Sequence, residues 1–128
     1  MVQVSAAIIK NSVGEILICR RGPGGECAYL WEFPGGKREK GETAAECLVR
    51  ECWEELGVAI EVEELYQAID FAYVSGVIHF NFFTARITQG EPQAKVHTSL
   101  AWVAPTDLKQ YAFCPADEDL IAKLSAAN

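Results

Sequence analysis

The chain has 128 residues, half of them hydrophobic, and a formal net charge of −7. This length favours a single domain over residues 1–128, and no segment approaches the roughly 18 consecutive apolar residues of a membrane span. The acidic surface repels the phosphates of DNA and RNA, so we expect neither a nucleic-acid polymer nor a membrane as a partner. A small polyanionic substrate would be repelled too unless cations bridged it to the protein, which is a first indication of a metal.

The N-terminal third is predicted to contain two strands and a loop. Apolar residues at 2–9 and 15–20 indicate the strands, a turn at 11–14 joins them, and a glycine-containing loop follows at 22–28. The first residues lack the basic segment of a signal peptide, so we interpret them as part of a strand. The five cysteines show neither a CxxC pair nor zinc-ligand spacing, which favours reduced, buried thiols in a cytoplasmic protein.

A helix is predicted at residues 43–56, with a signal at each end. Thr43 followed by Glu46 forms a capping box, and Gly57 suits the position just after the last turn. Apolar residues recur at helical spacing and predict the buried stripe of this helix: Ala45, Leu48, Val49, Cys52 and Leu56.

The rest of the chain is predicted to add strands and then a helix. Two long β segments, residues 60–74 and 77–88, are followed by a strand at 100–105 and a short helical turn at 106–109. Pro115 opens a last helix, which we place at 115–127. This order is typical of an α+β fold with a mixed β-sheet between helices.

Three glutamates crowd the end of the predicted helix at residues 43–56: Glu51, Glu54 and Glu55. Like charges three or four residues apart destabilise a helix, and negative charge at its C-terminus opposes the macrodipole. The three side chains cover only about 100° of the helix surface, and Arg50 neutralises at most part of that patch. Convergent carboxylates bind Mg²⁺ or Mn²⁺, whose remaining ligands are water and phosphate. A solvated charged face is the alternative interpretation.

The residues ahead of the helix favour the metal site. Gly35 and Gly36 allow the backbone to approach a ligand closely, and Lys37 and Arg38 suit phosphate oxygens. The GxxxxGK[ST] spacing of a P-loop is absent from the sequence. A phosphate-binding site of a different kind is therefore expected here.

Residues 36–58 resemble the Nudix box, GX5EX7REUXEEXGU, where U is a bulky aliphatic residue. Cys52 stands at one U position and is a mild departure, while all seven fixed identities are present: Gly36, Glu42, Arg50, Glu51, Glu54, Glu55 and Gly57. Residues 18–21, 30–37 and 114–117 are similar to the MutT branch of the family and to its CTP pyrophosphohydrolase-like branch. The resemblance implies the Nudix α/β/α sandwich with a mixed sheet.

The same resemblance implies a Mg²⁺-dependent hydrolysis, with Mn²⁺ as a possible substitute, of a nucleoside triphosphate to a monophosphate and pyrophosphate. It implies metal binding by Glu51, Glu54 and Glu55 together with a backbone carbonyl at Gly36 or Gly35. Either Glu51 or Glu54 would act as the base on the attacking water. Two further catalytic residues are implied, one that holds a glutamate in place and one that supports the loop: Arg50 and Glu42, respectively.

One loop departs from the pattern of the MutT branch. MutT-like proteins often carry a further glutamate before the strand expected at 100–105, and this chain has Val96 near that position. His97 stands beside it. It either contributes to the site or is an ordinary loop histidine.

Candidate substrate-binding residues lie outside the box. We expect Arg21 to pair with phosphate or ribose, and Phe33 either offers a flat surface to the base or packs in the core. His79 and Asn81 share one face of a strand, where they line the pocket or are buried with satisfied hydrogen bonds.

By resemblance, Asp117 matches the position that reads the base edge in MutT-type proteins. An ionised aspartate only accepts hydrogen bonds, so it would favour the amino group of cytosine or the N–H groups of guanine; capping of the last helix is the alternative. The leading prediction is removal of oxidised dGTP, with CTP or modified dCTP hydrolysis as the runner-up and a silent nucleotide sensor third. We expect a monomer or a homodimer.

Overall fold

The computed structural model describes residues 1–126. Within them, the chain forms seven strands and two α-helices: β1 (Val2–Ile9), β2 (Ile16–Arg20), β3 (Trp31–Glu32), β4 (Gly35–Lys37), α1 (Ala44–Leu56), β5 (Ala59–Tyr73), β6 (Gly76–Gln89), β7 (Ser99–Val103) and α2 (Glu118–Ala126). Short 3₁₀ helices cover Pro105–Gln110 and Pro115–Asp117. The predicted last helix therefore begins with a 3₁₀ turn, and its final residue, Ala127, lies outside the described residues. No α-helix within residues 1–126 is long and apolar enough to cross a membrane.

The strands form two sheets. One has the order β4-β1-β6-β5 and is mixed, because β1 pairs with β6 in parallel while its other pairs are antiparallel. The other is antiparallel, with the order β3-β2-β7. The predicted mixed sheet is confirmed. The second sheet was not predicted. A short turn joins β1 and β2, which suggests a hairpin, but beyond the isolated bridge between Lys10 and Ile16 the two strands belong to different sheets.

Strand β1 separates two hydrophobic cores. Successive side chains of a strand point to opposite faces, so Ala6 and Ile8 join the core that contains Leu120 of α2. Ala7 and Ile9 join the core that contains Leu48 of α1. Helices therefore cover both faces of the mixed sheet, which confirms the predicted α/β/α sandwich.

The signals at the ends of α1 act as predicted. Thr43 Oγ1 accepts a hydrogen bond from the Glu46 backbone N–H at 3.1 Å, and Glu46 Oε1 accepts one from the Thr43 N–H at 2.8 Å. Gly57 ends the helix with φ 71°, and its N–H donates to the Trp53 carbonyl. All five cysteines of the chain are buried and unbridged, also as predicted.

The inner face of α1 differs from the predicted stripe. Val49 is 41% exposed and Ala45 is only half-buried, whereas Cys47 is buried. The helix is turned so that the side of Glu51 and Glu55 faces the sheet. Apolar periodicity alone did not predict this rotation, because it assumes that carboxylates stay on the solvent side.

Candidate active site

A cleft of about 640 Å³ is lined by residues from both sheets, from α1 and from the segment before α2. It brings together six of the residues proposed from the sequence, which are far apart in the chain: Arg21, Phe33, Gly36, Lys37, Glu55 and Asp117. Their side chains differ in chemistry along the cleft. Charged groups and aromatic groups both occur in the lining, among them Lys37 and Glu55, and Tyr73 and Phe80.

The β3–β4 turn brings backbone against the carboxylates of α1. A Cβ atom on Gly36 would overlap the Glu51 carboxylate, and one on Gly35, whose φ is 155°, would overlap the backbone oxygen of Ser5. Only glycine fits at these two positions. Glu51 therefore lies directly against the backbone of β4.

Arg50 holds three of the box glutamates together. Its Nη1 donates to Glu51 Oε2 at 2.8 Å and to Glu54 Oε1 at 3.0 Å, and its Nη2 donates to Glu42 Oε1 at 2.7 Å. The hydrogen bond from Arg50 is the main cause that lowers the pKa of Glu42 to about 2. The same bond raises the pKa of Arg50, so the guanidinium stays charged. Arg50 also donates to the Lys37 carbonyl, which ties α1 to the end of β4.

Glu55 points away from Arg50 and into the cleft. Its Oε1 is buried without a hydrogen-bond partner among the described residues. Burial raises the pKa of this carboxyl to about 7, the nearby His97 lowers it in part, and the charges of Glu51 and Glu32 raise it further. An unpaired acidic oxygen of this kind is suited to a cation.

The oxygen atoms around the turn fit a divalent ion. Residues 1–126 contain no group of three His, Cys, Asp or Glu side chains already arranged as a closed cage. Mg²⁺ does not need one, because proteins usually hold it with one or two carboxylates while water and phosphate complete its shell. Glu51 beside Gly36 and the unpaired Glu55 oxygen supply such carboxylates.

Phe33 and Asp117, both proposed to contact the base, line the cleft. Phe33 is buried, stacks on Phe113 at 5.5 Å between ring centroids and meets Phe82 edge-on, so it packs in the core as well as lining the cleft. Asp117 is 4% exposed, and burial, followed by the charge of Glu32, raises its pKa. The sequence analysis assumed an ionised aspartate, whereas burial favours the neutral form of this carboxyl. The neutral carboxyl favoured by burial both donates and accepts hydrogen bonds.

His79 and Arg38 were proposed from the sequence to bind substrate, and neither lines this cleft. His79 has neighbours on β6, Ile78 and Phe80, that line the cleft, so strand alternation directs His79 to the other face. There its Nδ1 lies 2.6 Å from Asp70 Oδ1. Arg38, which we expected to bind phosphate, instead donates to the carbonyl of Glu42 and to Gln3 Oε1.

The sequence analysis missed two acids that line the cleft. One is Glu26, and the other is Glu32, which has a partner at each oxygen. Its Oε1 accepts from Arg21 Nη1 at 3.1 Å, and its Oε2 lies 2.9 Å from His97 Nε2. The signal available was a single acid between apolar residues in the run Trp31–Phe33. His97 thus faces Glu32, and Val96, near the position of the missing loop acid, is 60% exposed.

A family model described as the NUDIX domain matches residues 5–123. The chain belongs to the Nudix family. It is 40% identical to a CTP pyrophosphohydrolase of Escherichia coli over 127 residues, covering 98% of this chain and 93% of that protein. It is 37% identical to an 8-oxo-dGTP diphosphatase of Haemophilus influenzae over 124 residues, covering 97% and 91%. The solution structure of the E. coli ORF135 protein superimposes with a TM-score of 0.83 at 38% identity, covering 98% of this chain and 89% of that one.

The predicted family and hydrolase class are confirmed by these matches. Nudix hydrolases generally need a divalent metal ion, which agrees with the oxygen atoms around Gly36. In this Nudix hydrolase the box glutamates fall into two groups. Arg50 holds Glu51 and Glu54, while Glu55 lines the cleft with its Oε1 free of hydrogen bonds from residues 1–126.

We expect the substitution Glu55→Gln to reduce the pH dependence of stability of the metal-free protein. The pKa of Glu55 is about 7 in the folded protein, whereas an unfolded glutamate titrates at about 4.3. Between these values the native state binds more protons than the unfolded chain, so the free energy of unfolding falls as the pH rises. The part due to Glu55 is on the order of 1–2 kcal/mol, because partial solvation screens the carboxylate.

Urea unfolding in the presence of a chelator, at pH values below and above this interval, measures the effect. Glu63→Gln, on an exposed position of β5, is the matched control and should keep the wild-type pH dependence. The same pH dependence in Glu55→Gln as in the wild type would contradict the raised pKa.

Proposed function

We propose that this Nudix hydrolase is a Mg²⁺-dependent nucleoside triphosphate pyrophosphohydrolase that removes 8-oxo-dGTP from the nucleotide pool. The observation that carries the proposal is the cleft itself, which is lined both by charged side chains and by aromatic ones: Arg21, Lys37 and Glu55, and Phe33, Tyr73 and Phe80. A triphosphate and a base require these two environments side by side. The relative in H. influenzae, named 8-oxo-dGTP diphosphatase, supports the choice of substrate.

The acidic end suits the triphosphate only with a cation present. Glu51, Glu54 and Glu55, with the Gly36 carbonyl, would hold Mg²⁺. When bound, the ion neutralises phosphate oxygens and lowers the pKa of a coordinated water. Lys37 lines the cleft and has an exposed ammonium group for the outer phosphates.

The protein's own groups orient the attacking water. Either Glu51 or Glu54 accepts its proton. Arg50 Nη1 donates a hydrogen bond to each of these carboxylates and so fixes their positions. Glu51 is confined against Gly36, whereas Glu54 is 56% exposed. Glu42 keeps Arg50 in place and, through its Oε1, accepts the N–H of Glu39 in the loop before α1.

A second candidate is hydrolysis of CTP or a modified dCTP. The relative in E. coli named CTP pyrophosphohydrolase, 40% identical over almost the whole chain, favours it. A neutral Asp117 does not discriminate between the two, because a carboxyl that donates and accepts complements both the guanine edge and the cytosine edge. A silent nucleotide sensor is disfavoured, since every acid of the box is retained.

We expect Glu54→Gln to lower turnover of the preferred nucleotide at least about 100-fold, as loss of a base or of a metal ligand does. The amide keeps the size of the side chain and its acceptor for Arg50, so the melting temperature should stay near that of the wild type. Turnover is measured by release of pyrophosphate at saturating Mg²⁺. Glu63→Gln serves again as the exposed control, and undiminished turnover in Glu54→Gln would exclude the proposed chemistry.

A panel of nucleotides distinguishes the two candidate substrates. We expect kcat/KM to be highest for 8-oxo-dGTP among 8-oxo-dGTP, dGTP, CTP and dCTP, with a monophosphate and pyrophosphate as products. Product analysis by chromatography separates pyrophosphate from phosphate. A preference for CTP or dCTP would establish the second candidate instead, and no hydrolysis of any of the four would leave only the sensor.

Asp117 should show a pH dependence that asparagine lacks. Deprotonation removes the only donor of the carboxyl, so we expect KM of wild type to rise as the pH increases through the raised pKa of Asp117. Asp117→Asn keeps a donor and an acceptor and should remove this rise, while Asp117→Leu should have a high KM at every pH. The ratio of KM for Asp117→Asn and wild type, followed across pH, cancels the titration of the remaining groups. A ratio that does not change would refute the neutral carboxyl.

A further inference from the structure

Glu32 connects the ends of three strands in the antiparallel sheet. It lies on β3, while Arg21 directly follows β2 and His97 precedes β7. Arg21 Nη1 donates to one carboxylate oxygen at 3.1 Å, and His97 Nε2 lies 2.9 Å from the other. Each oxygen of Glu32 therefore has its own partner, from opposite sides.

His97 fixes the orientation of Glu32. Its side chain is 4% exposed, and its Nδ1 is buried without a partner among residues 1–126. A carboxylate only accepts hydrogen bonds, so the Nε2 of His97 must carry the proton and donate it. Because the ring is enclosed and donates to Oε2, Glu32 cannot rotate without breaking a buried hydrogen bond.

Arg21 is the exposed end of this chain of contacts. Its side chain is about half-exposed and lines the cleft, and the bond to Glu32 uses Nη1. The Nε of Arg21 is buried and has no partner among the described residues. A guanidinium has five N–H donors in a fixed plane. One of them is used by Glu32 and Nε is buried, so the other Nη donors remain for a ligand in the cleft.

We propose that Glu32 and His97 are positioning residues that hold Arg21 in the plane in which its unused donors bind oxygens of the nucleotide's phosphate or sugar. This inference rests on the proposed function, because it takes the ligand to be a nucleoside triphosphate. It assigns His97 a role through Glu32 and Arg21, distinct from binding the metal. The proposal also explains why Glu32, an acid, lies in a cleft that binds a polyanion, because Arg21 balances the charge of Glu32.

A double-mutant cycle tests whether Glu32 acts through Arg21. We expect Glu32→Gln and Arg21→Gln each to raise KM for the preferred nucleotide by about tenfold or more, the scale of one charge-assisted hydrogen bond, with kcat changed much less. The double variant should be no worse than Arg21→Gln alone, because the two substitutions remove the same contact. Glu61→Gln is the matched control, since Glu61 also pairs with an arginine, Arg86, but lies outside the cleft and should leave KM unchanged.

Binding of a non-hydrolysable α,β-methylene nucleoside triphosphate, measured by calorimetry with Mg²⁺, gives a readout independent of turnover. The dissociation constant should rise in parallel with KM in Glu32→Gln. His97→Gln keeps an N–H donor for Glu32 and should raise both constants less than His97→Leu, which has none. Thermal unfolding of every variant confirms that the fold is retained.

Three results would overturn the inference: additive effects in the double variant, a fall in kcat without a change in nucleotide binding, or tighter binding in Glu32→Gln. The second result would place Glu32 at the reacting atoms. Failure of the proposed function looks different, because the wild-type protein itself would then not hydrolyse the nucleotides of the panel.

Discussion

The guanidinium of Arg50 holds together a cluster of carboxylates that would otherwise repel one another. Glu42 lies in the loop before α1, and Glu51 and Glu54 lie near the end of the helix, yet all three accept hydrogen bonds from the same side chain. One positive charge among three negative ones leaves the cluster acidic. The hydrogen bonds set the positions of the carboxylates, while the remaining negative charge is left for a divalent ion.

The two glycines that begin β4 line the cleft and bring this cluster next to it. With any side chain at Gly36, the Glu51 carboxylate would be displaced from the backbone. Arg50 adds a bond to the Lys37 carbonyl at the end of the same strand. Loop, strand and helix are thus joined through a few polar contacts, and Glu55 is directed into the cleft with an oxygen left unpaired. Burial raises the pKa of this carboxyl, and a cation bound there would lower it again.

A second set of polar contacts, among three residues of the antiparallel-sheet side, also contributes to the cleft. Arg21, Glu32 and His97 join three strand ends of the antiparallel sheet, just as Arg50 joins the loop, β4 and α1. Both arrangements place an arginine next to acids that face a polyanionic substrate. The net charge of the protein is negative, so such local pairs, together with the metal, make the binding of a triphosphate electrostatically possible.

Local signals in the sequence determined the α+β class, the bounds of α1 and the membership of the family. Capping by Thr43, the left-handed Gly57 and the spacing of the box all act within a few residues, so they are present in the sequence itself. The strands β3 and β4 were missed, since two or three residues are too few for alternation to be recognised. The rotation of α1 was also missed, because the packing of Glu51 and Glu55 toward the sheet decides which stripe is buried.

Only the tertiary structure decided which polar residues share the cleft and which of them are buried. The partners His97 and Glu32 are 65 positions apart in the chain, so no local pattern could reveal their contact. Strand alternation shows only that His79 lies on the opposite face from Ile78 and Phe80. The packing of β6 determined which of the two faces lines the cleft. Burial of Asp117 depends on elements from the whole chain, and burial sets whether its carboxyl is charged. The sequence determined the chemical groups, and the fold determined their surroundings.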